Sequence, residues 1–71
     1  MVVDREYELR RLRRHLHVQE NAVKAAATER NRLRGKSVPA AWKARAERVY
    51  AEAVAGRDGF IKMIEALEET T

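Results

Sequence analysis

RNRLRGKSVPAAW, residues 30–42, contains the signals that end one helix and begin another. Gly35 suits the left-handed position that follows many helices. Ser37 is a favourable N-cap, and Pro39 is tolerated only in the first turn of a helix. Because stop and start lie within about five residues of each other, the stretch predicts a tight turn at 35–38 between two antiparallel helices.

The segment before the turn has the apolar spacing of a helix that packs lengthwise against another helix. Eight positions from residue 9 to residue 33 alternate steps of three and four, and six of them are apolar. These heptad core positions are Leu9, Leu12, Leu16, Gln19, Val23, Ala26, Arg30 and Leu33. The pattern is that of paired helices, and with Asp4 as a suitable N-cap it predicts helix 1 over about 4–34.

The segment after the turn repeats this spacing over the same length. Its predicted core positions are Trp42, Ala46, Val49, Ala53, Gly56, Phe60, Met63 and Leu67. They predict helix 2 over about 39–69. Gly56 and Gly59 each disfavour a helix by about 1 kcal/mol relative to alanine, so a bend or break at 56–59 is the alternative. The unbroken spacing favours one helix, and the chain is expected to form a single all-α antiparallel helical hairpin.

Helix 2 has a second apolar track beside the first. Tyr50, Val54, Ile61 and Ile64 lie on it, and a two-helix hairpin is expected to leave them exposed. A chain of 71 residues without cysteine has a small core and no disulfide to support it. We therefore expect a homodimer that forms a four-helix bundle through this protein interface. Another helical protein bound to the same face is the alternative.

The first half of the chain is basic. Residues 1–36 hold ten Lys/Arg against five Asp/Glu, and residues 37–71 hold five against six. Arg10, Arg14, His17 and Lys24 share the outer side of helix 1, where they could follow a nucleic-acid backbone. A solvated helix surface is the simpler interpretation, because acids lie nearby and no aromatic residues are interleaved to stack on bases.

No residue pattern in the sequence indicates catalysis. His15 and His17 are two residues apart, so they point about 200° apart on a helix and cannot share a metal ion. The GKS sequence at 35–37 lacks the upstream glycine and the strand of a phosphate-binding loop. We expect no enzyme activity, no cofactor, no metal and no small-molecule substrate. No apolar run reaches the roughly 20 residues that cross a bilayer, so no membrane association is expected.

The predicted function is therefore a non-catalytic protein–protein interaction or oligomerisation module, a small helical adaptor or regulator. The absence of cysteine is compatible with a reducing environment, and a cytoplasmic location is expected. The alternative function is a small basic nucleic-acid-binding regulator that uses the outer face of helix 1.

Overall fold

The computed structural model describes residues 4–69 and shows two helices that pack against each other as an antiparallel hairpin. Helix α1 spans Arg5–Leu33 and helix α2 spans Ala40–Glu69. The hairpin is 56 Å long and 17 × 14 Å across. The all-α hairpin predicted from the sequence is confirmed, and α2 passes through Gly56 and Gly59 without a break.

Local interactions define both ends of α1. The Asp4 side chain accepts a hydrogen bond of 3.0 Å from the Glu6 backbone N–H, which satisfies one of the free donors of the first turn. At the other end Gly35 has a φ of 77°, a conformation that L side chains rarely adopt. The Lys36 N–H then donates to the Leu33 carbonyl at 3.2 Å. A substitution at Gly35 would therefore strain the turn.

Ser37 is not the N-cap of α2, contrary to the prediction. The helix begins at Ala40, so Pro39 occupies the preceding position and its carbonyl accepts from the Trp42 N–H at 3.0 Å. The physical reason is the proline ring, which disfavours the helical conformation of the residue before it. Val38 is that residue, and it would be the first helical residue if Ser37 were the cap, which favours a helix that begins after Pro39.

The core positions predicted for α1 face α2. Leu9, Leu12, Ala26 and Leu33 are buried. The other four positions are partly buried: Leu16, Gln19, Val23 and Arg30. The helix therefore has the rotation that its heptad pattern predicts.

Helix α2 is rotated from its predicted orientation. Three of its predicted core residues are largely exposed, namely Trp42 (59%), Val49 (46%) and Met63 (52%). Ile64, which was predicted to lie outside the hairpin, is buried at 7% exposure and packs with Leu9 and Leu12. The prediction that the hairpin leaves Ile64 uncovered is wrong.

The rotation follows from the width of the apolar side of α2. Residues seven apart point in nearly the same direction on a helix, so they form a row. One edge row contains Trp42, Val49 and Met63, and the opposite edge row contains Val54 and Ile61. In the structure, the two rows between these edges face α1. One row contains Ala46, Ala53 and Phe60, and the other contains Tyr50 and Ile64. Centring the wide apolar side in this way leaves both edges partly exposed.

A polar contact joins the helices near the middle of the hairpin. Gln19 Nε2 donates to the Ala53 carbonyl oxygen at 3.1 Å. Gly56 provides the space for this side chain, because a Cβ at residue 56 would lie 2.6 Å from Gln19 Nε2. A Cβ at Gly59 would meet nothing within 4 Å. The close contact with the Gln19 side chain therefore requires glycine at residue 56, whereas no such contact requires glycine at residue 59.

The two glycines should respond differently to alanine. Gly59→Ala should raise the free energy of unfolding by about 1 kcal/mol through helix propensity alone. Gly56→Ala should gain the same propensity but displace Gln19 and lose its hydrogen bond, worth about 0.5–1.5 kcal/mol, so the net change should be small. Urea unfolding followed by circular dichroism at equal protein concentrations measures the difference.

The Gln19→Ala variant is the control for this comparison. Without the glutamine side chain, Gly56→Ala should stabilise the hairpin as much as Gly59→Ala does, because the new methyl group no longer displaces anything. Equal stabilisation by the two glycine substitutions in the unaltered chain would contradict the role assigned to Gln19.

Candidate interaction surfaces

The hairpin has two long faces, one on each side of its layer of core residues. The Trp42 face contains Trp42, Val49 and Met63 of α2 and Val18 of α1. The Ile61 face contains Val54 and Ile61 of α2, and the partly buried Tyr50 lies where this face borders the core row that faces α1. Five large apolar side chains are exposed within residues 4–69, and all except Tyr7 lie on the Trp42 face. This face therefore carries most of the apolar surface that the hairpin leaves uncovered.

Two shallow clefts lie on the Trp42 face, one near each end. The cleft at the turn end has a volume of about 270 Å³. Its lining residues are Ala26, Glu29, Leu33, Trp42, Arg45, Ala46 and Val49. The cleft at the open end has a volume of about 500 Å³. Its lining residues are Glu8, Arg11, Leu12, Met63, Ala66 and Leu67. Both clefts are mainly apolar at their base. The bordering charges come from Glu8 and Arg11 of α1 at the open end, and from Glu29 of α1 and Arg45 of α2 at the turn end.

The charges along this edge of α1 form two ion pairs. Arg11 contacts Glu8 at 2.9 Å near the open end, and Arg32 contacts Glu29 at 2.6 Å near the turn. The hydrogen bond from Arg32 lowers the pKa of the Glu29 carboxyl below its usual value, and the same bond raises the pKa of Arg32. Both pairs are solvent-exposed, so each contributes little to the stability of the hairpin itself.

The Ile61 face is more completely covered by α1 and by polar side chains. The Arg30 guanidinium lies 3.9 Å from the centre of the Tyr50 ring, a cation–π contact. Arg34 at the end of α1 reaches Glu47 of α2 at 2.9 Å. These contacts join the two helices near the turn, on the side opposite to Trp42.

The predicted protein interface is therefore divided by the structure. Tyr50, Val54 and Ile61 remain on one face and are partly buried within the single hairpin. Ile64 lies between the helices, so it is unavailable to a partner. Whether the other three residues contact a partner remains a prediction.

The basic residues predicted for nucleic-acid contact share an exposed surface. Arg10, Arg14, His17 and Lys24 are all exposed on the outer side of α1. None of these four side chains forms an ion pair with another residue in the described range 4–69. The charges of Arg10, Arg14 and Lys24 are therefore directed to solvent.

His15 makes a contact that the sequence analysis did not anticipate. Its ring stacks on the Phe60 ring with a centroid separation of 5.7 Å and an interplanar angle of 7°. Within residues 4–69, no three histidine or carboxylate side chains are grouped so that they could hold a metal ion. His15 thus extends the apolar packing of the open end onto the Trp42 face.

Sequence reasoning missed the Trp42 face because it assigned Trp42, Val49 and Met63 to the core. The signal that could have found it is the four-row width of the apolar side of α2. A single partner helix covers the middle of such a side and leaves its edges exposed.

Comparisons with protein-family models, with curated proteins and with solved structures gave no match to this chain. Neither helix, over the residues that the structure describes, has an apolar stretch long enough to cross a membrane.

Proposed function

We propose that this protein is a non-catalytic protein–protein interaction module that associates with a second copy of itself to form a four-helix bundle. In this role it acts as a small helical adaptor or regulator, and the surfaces of its helices make the contacts with its partner. The proposal follows from the surface that one hairpin leaves uncovered.

The observation that carries this proposal is the large accessible surface. A compact monomer of 8.2 kDa would expose about 4,500 Å². The hairpin exposes 5572 Å², an excess of about 1,000 Å². A stable protein–protein interface covers about 800 Å² on each partner, so one interface of ordinary size would remove most of the excess.

The composition of the core supports the same conclusion. Three of the seven buried residues, Ala26, Ala46 and Ala53, are alanines, which bury little apolar area. A chain of 71 residues without cysteine has no disulfide to compensate for such a core. Covering further apolar side chains by association is the remaining source of stability.

Sedimentation equilibrium tests this function directly. At micromolar concentrations we expect a particle of twice the 8.2 kDa chain mass. Because the fold and the association would be coupled, the midpoint of thermal unfolding should rise with protein concentration. A species with the mass of one chain throughout the micromolar range would refute self-association.

The exposed basic residues favour a second candidate function, binding to nucleic acid through Arg10, Arg14, His17 and Lys24. These four side chains lie on one side of α1 and form no ion pair within the described part of the chain. Binding to random DNA or RNA should then weaken steeply as salt rises, because each phosphate contact releases counterions. Absence of binding at low salt would eliminate this function.

A further inference from the structure

We infer that two copies pair through their Trp42 faces in an antiparallel arrangement, with the turn end of one hairpin against the open end of the other. The two-fold axis runs across the helices at the level of Gly56. This inference rests on the proposed self-association and specifies its geometry: α1 lies over α1 of the partner, and α2 lies over α2 of the partner.

The charges along the edge of α1 are complementary to themselves in this arrangement. Glu8 and Arg32 lie equally far from residue 20, and so do Arg11 and Glu29. An antiparallel pairing centred there places Glu8 opposite the partner's Arg32 and Arg11 opposite the partner's Glu29. The two existing ion pairs of each copy would thus combine with those of the other copy into alternating networks, one at each end of the bundle.

Two apolar residues of α2 have the same symmetry. Val49 and Met63 are seven residues on either side of Gly56, so each lies opposite the other in the partner. Gln19 lies over Gly56 within one hairpin, which places the centre of α1 and the centre of α2 at the same height. One two-fold axis therefore pairs the charges of α1 and also places Val49 of α2 opposite the partner's Met63, as an isologous interface requires.

Two small residues lie near the middle of this face. Ala22 and Ala25 flank the centre of α1 on this side, beside the larger Val18. Side chains of this size allow helix axes to approach at the short end of the usual 8–10 Å range. The larger side chains, Trp42 and Met63, are nearer the two ends, where the clefts leave room for them.

A parallel pairing, with both turns at the same end, fits the charges less well. It would place α1 over α2 of the partner, and residues at the same height would meet. Arg11 and Met63 line the same cleft, so Arg11 would face an apolar side chain there. Of the four charges in the two ion pairs, Glu29 alone would meet an opposite charge, that of Arg45 in the turn-end cleft. The antiparallel pairing compensates all four.

Disulfide mapping tests the arrangement without background, because the chain has no cysteine. Under mild oxidation, Val49→Cys/Met63→Cys should shift from a one-chain to a two-chain species, since the two positions face each other across the axis. Neither single variant should do so. The matched control on the other face is Val54→Cys/Ile61→Cys, and the reporter of a parallel pairing is Ala25→Cys/Val49→Cys. Two-chain product from either of these instead of the first pair would overturn the inference.

A charge exchange provides an independent measurement. Arg11→Glu should weaken self-association about ten-fold, because it opposes two carboxylates at both ends of the bundle. Adding Glu29→Arg should restore the affinity, since the new pair again has opposite signs across the axis. A double variant that associates as weakly as Arg11→Glu would contradict the antiparallel pairing.

Different results would contradict the self-association and the antiparallel geometry of the pair. A chain that sediments as a monomer removes both the self-association and its geometry. A dimer whose disulfides form through the Ile61 face, or in the parallel register, leaves the proposed function standing and removes the geometry alone.

Discussion

Replacing Ile64 with alanine is expected to lower the free energy of unfolding by about 2–5 kcal/mol. Ile64 is 7% exposed and forms the centre of the open-end core with Leu9 and Leu12. The truncated side chain would leave a cavity that the surrounding helices can fill only in part. Native domains are stable by only about 5–15 kcal/mol, so most of the stability of this small chain would be lost.

Ile61→Ala is the matched control, because it removes the same atoms less than one turn away. Ile61 is partly exposed on the edge of α2, so its truncation should cost well under half as much. Urea unfolding followed by circular dichroism, at one protein concentration, measures both variants. Equal losses would mean that α2 has the rotation predicted from the sequence, in which both isoleucines lie outside the hairpin.

Replacing Val49 with glutamate is expected to weaken self-association by about 100-fold or more. In one hairpin Val49 is 46% exposed, so a carboxylate at this position remains in water and the hairpin should keep its helicity. In the proposed dimer the same carboxylate would be buried against the partner's Met63, once in each copy, and the one cation that lines its cleft is the exposed Arg45 of its own helix. Removing a carboxylate from water costs several kcal/mol, more than an ion pair with an exposed arginine returns, and 100-fold in affinity corresponds to about 2.7 kcal/mol.

Val54→Glu on the Ile61 face is the control for this substitution. It introduces the same charge at a partly buried valine of the same helix, but on the opposite side of the core. Sedimentation equilibrium should give a dissociation constant near that of the unaltered protein. If Val54→Glu abolishes the dimer and Val49→Glu does not, the interface is the Ile61 face that the sequence predicted.

The fold of α1 and the position of the turn could be predicted because their signals are local. The N-cap at Asp4 and the positive φ at Gly35 depend on residues within a few positions along the chain. The apolar residues of α1 form one narrow side, so only one rotation buries them. For the same reason, the exposed positions of Arg10 and Arg14 followed from the heptad pattern.

The rotation of α2 could not be predicted in this way because its apolar side is too wide. Two heptad patterns fit the helix about equally well, one through Val49 and Met63 and the other through Tyr50 and Ile64. The choice between them depends on contacts between residues distant in the sequence. Gln19 with the Ala53 carbonyl is one such contact, and Arg30 with Tyr50 is another. Because of this rotation, the candidate interface lies on the Trp42 face and not on the track of residues that the sequence predicted.

The turn at Gly35 also determines at which end of the hairpin anything joined to its two helices would lie. Arg5 and Glu69 lie together at the end of the hairpin remote from that turn. In an antiparallel pair, anything joined to one copy would sit at one extremity of the bundle, and anything joined to the other copy at the opposite extremity. In the proposed pair, the 56 Å length of the hairpin would set the distance between two such attachments.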